Sequence, residues 1–241
     1  MEYPGVFCTE HLIYLAVSLL LTFFSLWALR RFVTDKKKER TILRAAGIIL
    51  LICISVNRVS VTAAQIREDP AVYGWINLIP YTFCGFASLA TAIAAIFGRD
   101  DNPAYHFLVW FGLAGGAASV IYPDFLFEQT FWDLRSFSGL VHHSVLLWIC
   151  LFILLTGRIR PVMKKYVFYP AGFALMMLLG FFEIYVLGFP SAMNIDSPLL
   201  SSLPVLTSWY SLFILTSLLV LAVYLVCGSL SARRRASADN V

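Results

Sequence analysis

Six polar side chains stand inside stretches of sequence that are otherwise apolar: Asn57, Arg58, Cys84, His142, His143 and Glu183. An ionisable group inside a membrane span costs about 2.5 to 3.5 kcal/mol on insertion scales, and such groups usually face a protein interior for a functional reason. A cysteine paired with a histidine is a standard arrangement for nucleophilic catalysis, because the imidazole draws the thiol toward the reactive thiolate. Arg58 is always charged, and its fork of donors suits a phosphate. Glu183 is the one acidic residue well inside a span, so an ion pair with Arg58 is the simplest way to bury both. Each residue also has a bland reading: Cys84 as a small buried hydrophobe, Arg58 and Glu183 as glue between helices. The two histidines are adjacent and leave a helix about 100° apart, so one is expected to face the chemistry while the other packs. Gly139, one turn before His143, leaves open space beside that ring. A zinc site is the competing chemistry. It needs about three protein ligands, and only the adjacent pair of the four histidines is well placed, with His11 at the start of the first span and His106 toward the far side of the fourth. No metal and no cofactor is assigned.

These residues need elements to position them, and the composition says which. The 241 residues are 60% hydrophobic and 13% charged, against about 45 to 50% and about 25% for a soluble domain. That excess excludes a soluble globule, a disordered chain and a nucleic-acid binder. About 20 apolar residues cross a bilayer as a helix, and apolar runs fall near 11–31, 43–66, 76–98, 104–122, 137–157, 166–188 and 205–228. The expectation is all-α: a polytopic bundle of seven transmembrane helices forming one domain over 1–230, with a short, basic, disordered cytoplasmic tail over 231–241. The first run has an acidic start (Glu2, Glu10) and is closed by Arg30 and Arg31, the reverse of a signal peptide, so it is expected to stay as an anchor. Fifteen of the 18 Lys and Arg fall in the first, third and fifth connections and the tail. Short cytoplasmic loops hold the positive excess, which places the N-terminus outside and the C-terminus in the cytoplasm. The five cysteines are scattered without a CxxC pair, and no disulfide framework is readable from them.

In that topology, with a rise of 1.5 Å per residue, all six polar residues fall in the outer half of the bilayer. The convergence predicts one buried, water-accessible site near the outer leaflet. Tyr122 and Asp124 at the end of the fourth span, and Thr207, Ser208, Trp209 and Tyr210 in the seventh, lie at similar depth and are candidates to line or close it. Gly112 and Gly116 stand in GxxxG spacing, which lets helix backbones approach closely, so the fourth span is expected to be central.

Four segments recur in a known order: Pro80-Tyr81-Thr82-Phe83-Cys84, the Gly-rich fourth span ending in Tyr122-Pro123-Asp124, His143 early in the fifth, and the run Ile184 to Pro190 ending the sixth. Together they resemble the YwaF family of bacterial integral membrane proteins, related to animal transmembrane protein 164, over roughly residues 50 to 215. The resemblance implies a phospholipid acyltransferase acting through a cysteine acyl-thioester, with Cys84 as nucleophile and His143 as its histidine. It implies membrane phospholipids as donor and acceptor and a bacterial cytoplasmic membrane. The supporting residues on this reading are Asn57, Arg58, Thr82, Tyr122, Asp124, His142, Glu183 and Tyr210. The sequence departs from the family pattern at Thr82, where a histidine is common, at Gly85, where an acidic or polar residue is common, and at Glu183, where an asparagine is. The rival class is a non-enzymatic bundle, a small-solute transporter or ligand sensor, in which Arg58, Glu183 and the histidines bind a solute or protons.

Overall fold

Charges, caps and prolines bracket the apolar stretches, and helices form between them. Helix α1 (Thr9–Phe32) closes at Arg30 and Arg31, and α2 (Lys36–Glu68) opens where Asp35 accepts a hydrogen bond from the Lys37 N–H at 2.8 Å. There follow α3 (Phe83–Phe97), α4 (Tyr105–Ile121), α5 (Leu134–Leu155), α6 (Phe168–Tyr185), a single turn α7 (Pro204–Thr207) and α8 (Trp209–Ala238). The computed structural model describes residues 5–127, 130–198 and 203–238. Among these every regular element is helical, and the seven long helices, α1 to α6 and α8, match the seven expected spans. Six are long and apolar enough to cross a membrane. The chain is a multi-pass membrane protein. Helix α8 is continuous through Arg233, Arg234 and Arg235 to Ala238.

The third span departs from expectation. A continuous helix over 76–98 is replaced by a 3-10 turn (Trp75–Leu78), an extended stretch, and a helix that begins only at Phe83. Pro80 is the cause: it lacks an N–H and disfavours helical backbone at the residue before it. Thr82 then restarts the helix, its hydroxyl accepting the Gly85 N–H at 3.1 Å. At 1.5 Å per residue, α3 covers only about 22 Å of a hydrocarbon core of about 30 Å. The remaining backbone must find polar partners inside the protein. The Asn77 carbonyl accepts from Arg58 and, at 3.1 Å, from Thr62, both on α2.

Helices α2, α3, α4 and α5 pack at the centre, with α6 against α4 and α8 against α6. A Cβ on Gly112 would stand 2.9 Å from Cys150 Sγ, and one on Gly116 would stand 3.2 Å from the His143 carbonyl oxygen. The two glycines let α4 and α5 meet nearly backbone to backbone. Helix α1 buries only His11 and Leu26. It leans on α5 through Tyr14 and Ser18, which reach Ser144 at 2.7 and 3.0 Å, and through Ser25, which accepts the Trp148 indole N–H at 2.8 Å. The end of the bundle that carries the basic loops is tied by charge. Arg158, 3% exposed, bonds Asp100 and reaches Glu39 at 3.4 Å. Lys165 pairs with Asp101, which also accepts the Arg160 N–H at 3.1 Å and meets His106 Nε2 at 3.0 Å.

Candidate functional site

At the other end, α2, α3 and α5 enclose a cavity of about 180 Å³ lined by Asn57, Arg58, Tyr81, Thr82, Cys84, Phe125, Arg135, His142 and His143, with Val61, Gly85 and Gly139. Six of the sequence-predicted residues therefore share one wall space: Asn57, Arg58, Thr82, Cys84, His142 and His143. Glu183, Tyr122, Asp124 and Tyr210 do not line it.

The broken start of α3 puts Cys84 in the first helical turn rather than mid-helix. The first N–H groups of a helix have no intrahelical acceptor. Here the Gly85 N–H is taken by the Thr82 hydroxyl and the Phe86 N–H by the Thr82 carbonyl at 3.0 Å. Those of Phe83 and Cys84 have no acceptor among the described residues. Donors beside a sulfur can receive the oxygen of an ester that the sulfur attacks. Cys84 Sγ lies 3.6 Å from Ser119 Oγ and makes no hydrogen bond to either imidazole. Thr82 and Gly85, two departures from the resembled pattern, depend on each other: a Cβ at Gly85 would fall 2.9 Å from Thr82 Oγ1 and 3.1 Å from Pro80 Cβ. The threonine caps only because the glycine makes room.

Both histidines line the cavity, contrary to the expectation that one would pack elsewhere. Their Cα–Cβ bonds diverge, but the rings lean together, with centroids 4.0 Å apart. His142 Nδ1 donates to the Ser138 carbonyl at 3.0 Å, which leaves Nε2 as the acceptor nitrogen of the neutral ring. His142 Nε2 and His143 Nδ1 are buried without a hydrogen-bond partner. Gly139 lines the cavity with His143, and the Phe125 ring borders that space, 3.2 Å from where a Cβ on Gly139 would stand. Asn57 Nδ2 donates to the Arg135 carbonyl at 3.0 Å and to Ser138 Oγ at 3.1 Å, tying α2 to the start of α5.

The expected ion pair between Arg58 and Glu183 is not formed. Arg58, 6% exposed, donates to the carbonyls of Asn77 and Ile79 and lies over the Tyr81 ring, 4.5 Å from its centroid. A backbone that leaves its helix at Pro80 exposes carbonyl oxygens, and these stabilise the guanidinium in place of a carboxylate. Tyr81 is itself held by Gln65, whose Nε2 donates to the phenol oxygen at 2.6 Å. Glu183 is fully buried, and neither carboxylate oxygen has a hydrogen-bond partner. Asp124 opens a 3-10 turn (Asp124–Phe127), Tyr122 is the cap residue of α4, and Tyr210 is half exposed on α8. At the mouth, Arg135 forks onto Asp133 at 3.0 Å for each arm, and this bond holds the Asp133 carboxyl below its usual range against the opposing effect of burial.

Four polar or aromatic residues at the cavity escape sequence reasoning: Ser119, Tyr81, Phe125 and Arg135. Ser119 sits one turn after Gly115 in a stripe of small residues, where a hydroxyl reads as packing. Tyr81 and Phe125 read as ordinary aromatics, and Arg135 as a surface charge beside Asp133. Among the described residues no group of three or more His, Cys, Asp and Glu is placed to hold a metal ion.

Fold and site together define a multi-pass α-helical membrane protein with a polar cavity walled by a cysteine, two histidines and an arginine. The family model of the TMEM164 family matches residues 6–227, and the chain belongs to that family. No curated protein and no solved structure matches the chain.

Proposed function

We propose that this protein is a membrane-embedded phospholipid acyltransferase that works through a thioester on Cys84. The observation that carries the reading is the placement of Cys84, in the first turn of a helix, on a cavity it shares with His143, His142 and Arg58. His143 takes the thiol proton, and the sulfur attacks the carbonyl carbon of an acyl ester. The tetrahedral oxyanion finds donors in the N–H groups of Phe83 and Cys84. The ester C–O bond breaks, His143 returns the proton to the departing lysophospholipid alkoxide, and the acyl group stays on sulfur. The hydroxyl of a lysolipid acceptor then gives its proton to His143 and attacks the thioester carbon, the C–S bond breaks, and His143 passes that proton to the departing sulfur, which restores the thiol and the neutral imidazole. Arg58 pairs with the lipid phosphate, and Ser138 fixes the orientation of His142. The proposal places the N-terminus outside and the site toward the outer leaflet of a bacterial cytoplasmic membrane, because the basic loops gather at the opposite end.

The test uses purified protein in nanodiscs with a diacyl phospholipid donor and a lysophospholipid acceptor carrying an isotope in its headgroup. Wild type converts the labelled acceptor to diacyl lipid, and Cys84→Ala does not. Transfer by Cys84→Ala at the wild-type rate overturns the proposal. A non-enzymatic reading draws on one specific observation, the buried and unpartnered Glu183 carboxylate, a group suited to a proton or a cationic solute. It predicts gradient-driven uptake into liposomes that survives Cys84→Ala and is lost in Glu183→Gln.

A further inference from the structure

A second cleft, of about 160 Å³, opens where the end of α1, the start of α2 and the end of α5 meet. Lys36 in its rim and Arg58 in the first cavity both sit on α2, about 33 Å apart along the axis at 1.5 Å per residue, so the two sites lie at opposite ends of the bundle. Leu26, Leu29, Val33, Phe152 and Leu155 form an apolar wall, and the rim carries Arg30, Lys36, Glu39 and Thr156. The carboxylate is already shared: Glu39 accepts from Lys36 at 2.9 Å and from Arg158 at 3.4 Å, and Lys36 also donates to the Thr156 carbonyl at 3.2 Å, so Arg30 is the cation that lacks a partner and Lys36 adds a second, shared one. Asp35, beside the rim, is engaged in capping the Lys37 N–H. Arg30 has no ion-pair partner among the described residues, and Arg31, Lys37 and Lys38 flank the rim as exposed cations.

This combination selects an amphiphile. A soluble anion would answer Arg30 and Lys36 and leave the apolar wall open. A bare acyl chain would cover that wall and leave Arg30, which has no carboxylate of its own, facing hydrocarbon. An anionic head joined to an acyl chain answers both, and basic pockets between membrane helices are suited to such lipids. We propose that this cleft binds one anionic phospholipid, its phosphate between Arg30 and Lys36 and an acyl chain along Leu26, Phe152 and Leu155. The bound lipid fastens α1, which buries so little of itself, to α2 and α5. The site is independent of the acyl-transfer reading.

The experiment is native mass spectrometry of the full-length protein released from detergent after equilibration with phosphatidylglycerol or phosphatidylcholine of the same chains. Wild type retains one phosphatidylglycerol in preference to phosphatidylcholine. Each cation near the membrane surface contributes about fivefold, so Arg30→Gln with Lys36→Gln weakens retention by about 30-fold. Lys37→Gln with Lys38→Gln, the same charge change outside the cleft, leaves it within about twofold, and Cys84→Ala binds as wild type does. Leu155→Trp, which fills the cleft with its charges intact, abolishes the preference for phosphatidylglycerol. Equal retention of the two lipids, equal loss in the Lys37 and Lys38 double variant, or full competition by soluble glycerol phosphate would each overturn the proposal.

Discussion

Cys84 Sγ lies 3.6 Å from Ser119 Oγ on α4, and Gly115, one turn before that serine, faces the same sulfur. A Cβ at Gly115 would stand 3.5 Å from the sulfur, an ordinary contact. Gly115→Ala therefore leaves the rate of Cys84 alkylation by a small maleimide within about threefold of wild type. Gly115→Leu drives a branched side chain onto the sulfur, a strain of about 1 to 3 kcal/mol, and slows alkylation about tenfold or more. Equal rates for the two variants would show that Gly115 does not guard the thiol.

The guanidinium of Arg58 replaces a counter-ion with two backbone carbonyls and the face of Tyr81. Hydrogen bonds from a charged donor contribute about 1.5 to 3 kcal/mol and a cation over an aromatic ring about 0.5 to 2 kcal/mol. Arg58→Met should lower unfolding stability in detergent by about 2 to 4 kcal/mol, and Tyr81→Leu by less. Arg58→Lys falls between, because an ammonium can bond the carbonyls that one guanidinium nitrogen now bonds but lacks the planar face that lies over Tyr81. An unchanged denaturation curve for Arg58→Met would contradict this arrangement.

Gly172, Gly112 and Gly116 are three of the glycines at close helix contacts, and Gly74 serves as a control. A Cβ at Gly172 would fall 2.4 Å from Phe107 Cγ, at Gly112 2.9 Å from Cys150 Sγ, and at Gly116 3.2 Å from the His143 carbonyl, whereas at Gly74 it would meet nothing within 4 Å. Alanine at the first three should each cost about 1 to 3 kcal/mol, and Gly74→Ala should be neutral in thermal unfolding. Gly116→Ala carries a further consequence, a displaced His143 and slower acyl transfer.

The basic end of the bundle sets an acid limit. Burial opposes ionisation of Asp101, but the Lys165 ammonium, the Arg160 N–H and His106 together hold its carboxyl below the usual 3.8. A carboxyl depressed in the folded state adds stability that is fully present above its unfolded value and is lost as pH falls through the folded one. The unfolding temperature should therefore hold from neutral pH down to about pH 4 and drop below it, and Asp101→Asn should be less stable at pH 7 while losing that part of the acid dependence. A wild-type profile that falls between pH 7 and 5 and is matched by Asp101→Asn would contradict the assignment.

The seven apolar segments are readable in the sequence because each is long and bounded by charge. The break before α3 is not, although Pro80 announces it, because Trp75 to Ile79 are apolar enough for hydropathy to run straight through. The partner of Arg58 is hidden for a related reason: charge points to a carboxylate, while the carbonyls that bind it become available only when the chain leaves its helix. Depth along each span brings Asn57, Arg58, Cys84 and the two histidines to one level, but depth says nothing of azimuth, and Glu183 is buried without lining the cavity. Neighbouring histidines diverge at Cβ, yet their remaining torsions bring the rings together. The pairing of Thr82 with Gly85 reads in the sequence as two separate departures and in the fold as one cap.

The central claim is the thioester on Cys84, and intact-protein mass spectrometry tests it most directly. Purified wild type, Cys84→Ala, Cys84→Ser and His143→Ala are incubated with a single diacyl phospholipid and quenched in acid. The account predicts a mass increase of one acyl group on wild type that neutral hydroxylamine removes, nothing on Cys84→Ala, and formation slowed by about 10² to 10⁴ in His143→Ala. A wild-type protein that transfers acyl groups while never gaining that mass, or an adduct that persists in Cys84→Ala, would contradict it.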